Sequence, residues 1–375
     1  MGQTANNKLG VINGLRGFAI IFVIYHHVFG GFTYPGWYSF YFSQFNLEIY
    51  PFTYLSNGWI GVNLFFILSG LVLYIPYKNE TRKMRSFQDI TGFYRHRAMR
   101  LLPLYYISLL IMVFLNGRMA IDSLTPERLL YMATFTFGFT KDLWFPKYNP
   151  VLWSLAVEFW FCMLFPFFII LAKRFGIYRV LLFALGLSLA ARFIGVYVPF
   201  FETQNSAYQG YLKDSLLGRL DDFVLGMFIG HIYISGKEGS VRFLRAFGIP
   251  LGLALLFIGC QLWDYKFLGQ LPNYLVPFLN NIIQAGFLAI IISVMSFEKC
   301  TLKAFFTNYP IQILGMMCYS VYIWHRIAQF MILKTGYTAM NLTLYFLFLT
   351  VFSALTYRFI EFGHKSASEL FSKAA

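Results

Sequence analysis

The chain has 375 residues, 58% of them hydrophobic and only 12% charged. A soluble domain carries about 25% charged residues, so this composition excludes a water-soluble globular protein and leaves no room for a large soluble domain beside apolar spans. The formal net charge of +14 could indicate nucleic acid, but the cations sit in alternate loops, so nucleic acid is not an expected partner.

Apolar runs long enough to span lie near residues 11–30, 58–77, 101–116, 151–172, 177–198, 217–235, 246–263, 277–297, 311–333 and 340–360. The third is short against the usual length of about 20 residues, and 129–140 is shorter still, a re-entrant or surface helix and not a span. The first run lacks an A-x-A cleavage pattern and carries Arg16 too close to its apolar stretch for a signal peptide, so it is a retained span. The expected fold is therefore all-α: a polytopic transmembrane helical bundle of about ten spans.

Orientation follows from Lys and Arg in the loops. The 78–100 connection holds Lys78, Arg82, Lys83, Arg85, Arg95, Arg97 and Arg100. Further loops on that side hold Lys173, Arg174 and Arg179, then Lys237, Arg242 and Arg245, then Lys299 and Lys303, and the tail adds Lys365 and Lys373. Opposite loops are sparse: 31–57 has no Lys or Arg, 199–216 only Lys213 and 264–276 only Lys266. Both termini are expected to be cytoplasmic. The outer connections carry Trp37, Tyr38, Tyr41, Phe45, Tyr50, Phe52, Tyr54 and Trp59, then Trp144, Phe145 and Tyr148. An interfacial aromatic belt accounts for most of them, and a stacking surface for sugar rings is the sharper alternative. Cys162, Cys260, Cys300 and Cys318 show no CxxC spacing, so neither a disulfide frame nor a metal site is expected.

The first span runs Leu15-Arg16-Gly17-Phe18 to Tyr25-His26-His27. Eleven positions at about 100° each return His27 to within roughly 20° of Arg16, about 16 Å along the axis, while His26 points about 80° away. Lipid tolerates such groups only where they face a bundle interior or a wet cavity. The second span, Gly58 to Gly70, offers Gly61 and Gly70 for close helix approach and Asn63 and Ser69 as interhelical hydrogen bonders. Arg95, Arg97 and Arg100 before Pro103 read either as part of the positive-inside signal, with anionic lipid headgroups as ligands, or, since seven cations in one loop exceed what topology needs and guanidinium groups suit bidentate phosphate binding, as a site for a phosphorylated cytoplasmic ligand. Trp153-Ser154-Leu155-Ala156-Val157-Glu158 places Ser154 and Glu158 on one face. Arg219 and Asp222 read as a local ion pair. His325 lies deep in the ninth span, and Tyr357-Arg358-Phe359-Ile360-Glu361 ends the tenth.

Together these motifs resemble the acyltransferase family 3 membrane proteins, which O-acylate carbohydrates and some small molecules. The matching positions are Arg16 and His27; Gly61 to Gly70; Arg95, Arg97, Arg100 and Pro103; Trp153, Ser154, Leu155 and Glu158; Tyr319 to His325; and Tyr357 to Glu361. Asn63 departs from the family's usual Asp. The resemblance implies one membrane domain over 1–375 without a fused SGNH domain, in a bacterial cytoplasmic (inner) membrane. It implies acyl-CoA, above all acetyl-CoA, as a cytoplasmic donor substrate, no permanently bound cofactor, and an extracytoplasmic hydroxyl acceptor on a carbohydrate, glycolipid or small molecule. Membrane lipids are expected partners, and a homo-oligomer is left open. His27, Arg16, Glu158 and His325 are then the expected catalytic set, with His27 as general base or transient acyl carrier. Arg95, Arg97 and Arg100 would hold the donor, and Ser69, Asn63, Ser154 and Trp153 the acceptor. An exporter of polysaccharide or acyl groups is the alternative, against which the lack of a visible inverted repeat counts mildly.

The loop charges predict sidedness. A membrane-impermeant thiol reagent applied from outside should label Tyr208→Cys and miss Lys83→Cys; outside labelling at position 83 would invert the orientation.

Overall fold

Backbone N–H and C=O groups find no water in hydrocarbon, so apolar runs of this length bond internally as helices. The computed structural model describes residues 2–30, 39–45, 47–119, 125–140, 143–144, 146, 149–198, 211–235, 238–296 and 301–362. Trp37, Tyr38, Phe145, Tyr148, Lys237, Lys299, Cys300, Lys365, Lys373 and the labelling position Tyr208 lie outside the described residues. The helices are α1 (Gly2–Phe29), α2 (Thr53–Ser56), α3 (Ile60–Lys78), α4 (Phe87–Met119), α5 (Pro126–Ala133), α6 (Leu152–Phe175) and α7 (Ile177–Tyr197). They continue as α8 (Leu216–Ser235), α9 (Glu238–Phe267), α10 (Leu279–Ser296), α11 (Thr301–Phe306), α12 (Tyr309–Met316), α13 (Cys318–Ile332) and α14 (Ala339–Thr356). One small antiparallel hairpin, β1 (Phe40–Phe42) with β2 (Leu47–Ile49), pairs Phe40 with Ile49.

Among the described residues eight helices are long and apolar enough to cross a membrane. The two remaining apolar runs depart from that simple form. One is α8, whose length suffices but which carries Arg219, Asp221 and Asp222. The other, expected as one helix over 311–333, is broken between α12 and α13 at Met317. The third run was expected to start near residue 101; α4 begins at Phe87 instead. Its first turns are charged, so hydropathy does not see them. Residues 129–140, expected as a short re-entrant or surface helix, hold the end of α5 and a 3-10 turn, Thr136–Phe139.

The chain divides into two units, residues 1–82 with 168–315 and residues 83–167 with 316–375. In the first unit, α3 and α8 meet backbone to backbone. A Cβ at Gly70 would stand 1.9 Å from the Phe223 carbonyl oxygen, and one at Gly226 would stand 1.9 Å from that of Ile67. Only residues without a side chain permit this approach, as in other membrane helix pairs. A Cβ at Gly61 would lie 2.5 Å from the Ala19 carbonyl, so α3 also holds α1 closely. Leu15, Ala19, Leu64, Ile67 and Leu68 fill the seam between them.

In the second unit aromatic rings join α4, α5 and α6. Phe135, which has a left-handed φ of 58° just past α5, stacks between Tyr105 at 4.2 Å and Phe159 at 4.3 Å. Such a φ in a bulky residue costs on the order of 1–3 kcal/mol and persists only when its surroundings over-determine it. Here two stacked rings and a bond from Trp160 Nε1 to the Phe135 carbonyl, at 3.0 Å, do so. Pro166 disturbs the α6 ladder about a turn back, where the Tyr94 hydroxyl donates to the Met163 carbonyl at 2.7 Å.

The α3–α8 contact makes a direct prediction. Gly70→Ala and Gly226→Ala should each lower the melting temperature in detergent, an overpacking cost of at least about 1–3 kcal/mol. Gly186→Ala, at a position with nothing within 4 Å of the added carbon, should melt with or above the parent.

Candidate functional site

Arg16 and His27 stand on one unbroken helix, α1, so the expected separation of about 16 Å along the axis holds. Both are half-buried. His27 Nδ1 lies 2.9 Å from the Val23 carbonyl one turn back. A carbonyl can only accept, so Nδ1 carries the proton and Nε2 carries the lone pair. The neighbouring His26 uses its Nδ1 differently, donating to the Ser56 carbonyl of α2 at 2.8 Å. The two rings are 5.3 Å apart, nearly edge to face. One imidazole ties α1 to α2, while the other is fixed to its own helix.

Deeper in the same unit lies a network of charges. Arg192 Nη2 meets both oxygens of Asp221 at 2.6 Å, and its Nε and Nη2 donate to the Gly218 carbonyl at 3.0 and 2.8 Å. Arg219 donates from Nε to Asp214 at 3.0 Å and from Nη1 to Asn280 at 2.7 Å. Its Nη1 stands 3.6 Å from Asp222, so the expected i,i+3 pair forms, with Asp214 the closer partner. Lys213 reaches Asp214 at 3.4 Å. Asp222 accepts from Gln284 at 2.9 Å and from Asn63 at 3.2 Å, and Asn63 also donates to Asn280 at 2.5 Å. All six charged groups are buried, Asp221 and Asp222 completely. Three cations therefore meet three carboxylates, four of the six groups inside apolar helices and Lys213 and Asp214 at the turn before α8, and such pairing is the condition under which their burial is tolerable. At the turn before α8, burial alone would raise the Asp214 carboxyl, but Lys213 and Arg219 outweigh it and hold that group below the ordinary carboxylate range.

A second polar cluster caps α9. Asp264 accepts from Thr53 at 2.6 Å and from Asn57 at 2.7 Å. Gln261 and Tyr50 exchange two bonds, at 3.1 and 2.6 Å. Trp59 packs edge-on against Trp263 at 5.0 Å. Tyr50 and Trp59 are thus packed into the unit. Ser69 is buried on α3.

In the other unit, the arginines before Pro103 are helical, and their faces differ. Arg97 and Arg100 are i,i+3 neighbours, while Arg95 is turned away and exposed. Arg97 stands 5.9 Å over the Phe93 ring. Arg100 acts electrostatically on Glu361, Tyr319 and Tyr357. Glu361, in a π-turn after α14, accepts from Ser320 Oγ. Tyr319 donates to the Leu101 carbonyl at 2.5 Å. Ser154 Oγ and Tyr322 Oη are 2.6 Å apart. Glu158, half-buried one turn further along α6, acts electrostatically on Tyr319 and Tyr322. Trp153 packs edge-on to Trp144 at 6.2 Å. His325 is fully buried, its Nδ1 donating to the Tyr322 carbonyl at 2.7 Å. Within this unit Ser154, Glu158 and the α13 tyrosines come together. Among the described residues no three His, Cys, Asp or Glu side chains cluster in a way that could hold a metal ion.

Sequence reasoning passed over Arg192, Asp214, Asn280, Gln284 and Asp264. A signal existed for two of them: Arg192 and Asp264 are charges inside apolar runs, each reason enough to look for a partner. Their partners lie 29 and 211 positions away, Asp221 and Thr53, and no local pattern joins them.

The Acyl_transf_3 family model, an acyltransferase domain, matches residues 9–358. Among curated relatives, a peptidoglycan O-acetyltransferase OatA of Listeria monocytogenes is 23% identical over 84% of this chain and 48% of its own length. An O-acetyltransferase OatA of Staphylococcus aureus is 25% identical over 93% of this chain and 56% of its own. The chain thus spans about half the length of these curated relatives. No solved structure matches.

The network predicts the effect of giving position 63 a carboxylate. Asn63→Asp would remove a donor to Asp222 and set a like charge against it, costing on the order of 3–5 kcal/mol as an uncompensated buried charge. Adding Asp222→Asn should recover most of that loss. Melting curves for the two single variants, the double variant and the parent decide it; an Asn63→Asp protein as stable as the parent would rule out Asp222 as a fixed anion.

Proposed function

The chain belongs to the acyltransferase 3 family, and from that premise we propose that it is a membrane O-acetyltransferase, taking acetyl groups from cytoplasmic acetyl-CoA to a hydroxyl of an extracytoplasmic carbohydrate or glycolipid. Its relatives include a peptidoglycan O-acetyltransferase, which favours a cell-wall glycan as acceptor and a bacterial cytoplasmic membrane as location.

The observation that carries the reading is the His27 tautomer. With Nδ1–H engaged by the Val23 carbonyl, Nε2 is a neutral base on a half-buried ring. A general base must present a lone pair to the proton it removes, with a pKa near working pH. In the proposed step Nε2 takes the acceptor hydroxyl's proton as that oxygen attacks the thioester carbonyl. The carbon–sulfur bond breaks, and the CoA thiolate leaves and is protonated. Val23 orients the imidazole, which leaves Arg16, about 16 Å away along α1, for a donor-side role. Arg97 and Arg100 are the proposed phosphate ligands. Ser154, Trp153 and Glu158 remain candidates for the acceptor in their own unit. Asn63 acts through Asp222 and Asn280, and the burial of His325 suits a ring that braces α13.

His27→Ala should abolish acceptor O-acetylation with folded protein still in the membrane. His26→Ala should keep most activity and lose about 0.5–1.5 kcal/mol of stability for one interhelical hydrogen bond. Activity lost with His26→Ala and kept with His27→Ala would reverse the assignment. For the donor, Arg97→Ala and Arg100→Ala should each weaken acetyl-CoA binding by about 1–3 kcal/mol, and Arg95→Ala by less. Unchanged donor affinity in the Arg97/Arg100 double variant would reduce the cluster to a topology signal.

A further inference from the structure

The end of α13 and the turn after it form a cavity of about 210 Å³, lined by Arg326, Gln329, Phe330, Lys334 and Tyr337 with Pro150 across from them. Two cations line it, and no carboxylate is among its described lining residues. Arg326 donates from Nη1 to Gln329 Oε1, and Gln329 Nε2 donates to the Tyr337 hydroxyl at 3.3 Å. Lys334 Nζ rests 5.1 Å over the Phe330 ring. Arg326 Nε is buried and finds no hydrogen-bond acceptor. The hydroxyl of Tyr345, a fully buried α14 side chain within electrostatic reach of Arg326, is likewise without a partner. A buried guanidinium N–H without an acceptor leaves its desolvation unrepaid. The lining itself, two cations with no carboxylate among its described residues, calls for an anionic occupant.

Size narrows the occupant. The cavity holds the volume of about seven waters at roughly 30 Å³ each, below the roughly 300–1,000 Å³ of pockets for drug-sized ligands. It fits one acidic sugar residue and is too small for acyl-CoA. The 31–57, 199–216 and 264–276 loops, poor in cations, set the side on which the turn after α13 would face the acceptor. We propose that this cavity binds the carboxylate or phosphate of an anionic sugar on the acceptor, an assignment that rests on the O-acetyltransferase reading. Arg326 and Lys334 neutralise the anion, Gln329 holds the guanidinium in register, and Tyr337 meets the ring at the mouth.

The test is equilibrium binding to the full chain in an uncharged detergent, using glucuronate, glucose 6-phosphate, glucose, and short-chain phosphatidylglycerol. Both anionic sugars should bind at least tenfold more tightly than glucose. Arg326→Gln should erase that margin, and Lys334→Gln, at an exposed position where folding is safe, should reduce it severalfold. Equal binding of glucose, or a margin that survives Lys334→Gln and Arg326→Gln, overturns the proposal. Phosphatidylglycerol binding more tightly than either sugar would make the cavity a lipid headgroup site and also overturn it. Because binding needs no acetyl transfer, the two readings fail separately. Anionic sugars bound without any transfer would leave the cavity standing and remove the enzyme. Transfer with equal KM for anionic and neutral acceptors would do the reverse.

Discussion

A charge inside a membrane helix must find its opposite or be expelled, and the first unit is built around that requirement. Removing one partner of such a buried pair costs on the order of 3–5 kcal/mol, comparable with much of a domain's net stability of about 5–15 kcal/mol. Arg192 of α7, Asp221, Asp222 and Arg219 of α8, and Asn63 of α3 therefore fix three helices by one neutral cluster, with Asn280 and Gln284 adding α10. Small residues then let the same helices approach until backbones touch, at Gly70 and Gly226. The close seam between α3 and α1 extends the framework to the helix that carries the imidazoles. His27 is placed in this way by residues far from it in sequence, and its ring is set by the nearest carbonyl.

The adjacent histidines make different bonds. Each spends Nδ1 on a backbone carbonyl, but one bond joins two elements and the other stays within a helix. The His26 bond ties α1 to α2, whereas the His27 bond to Val23 sets its ring within its own helix. The second unit solves its polar problem with tyrosine. Tyr94, Tyr105 and Tyr319 donate to the carbonyls of Met163, Met132 and Leu101, apolar rings with one polar end that meets a backbone carbonyl.

Much of this was legible in the sequence. Long apolar runs gave the all-α membrane architecture, and helical spacing gave the Arg16–His27 line and the Arg219–Asp222 pair. Gly61 and Gly70 were readable as packing positions because a small residue in a span has few other uses. The start of α4 was hidden because its first turns carry the arginines that hydropathy counts as loop. The break at Met317 was hidden because it lies between two equally apolar segments. The Arg192–Asp221 pair was hidden for a different reason: a partner across helices is set by tertiary packing, which no period in one chain segment encodes. The Phe135 turn likewise depends on two rings from other helices. Asp214 meets Arg219 five residues on, from the turn before α8, a spacing that helical periodicity does not pair.

The central claim is transfer of an acetyl group across a membrane to a hydroxyl. The most direct measurement places the full chain in proteoliposomes with radiolabelled acetyl-CoA on one side and a purified cell-wall glycan on the other. The account predicts alkali-labile label on the glycan, with CoA released in step. Label recovered as free acetate, or glycan crossing the membrane with the thioester intact, would contradict it.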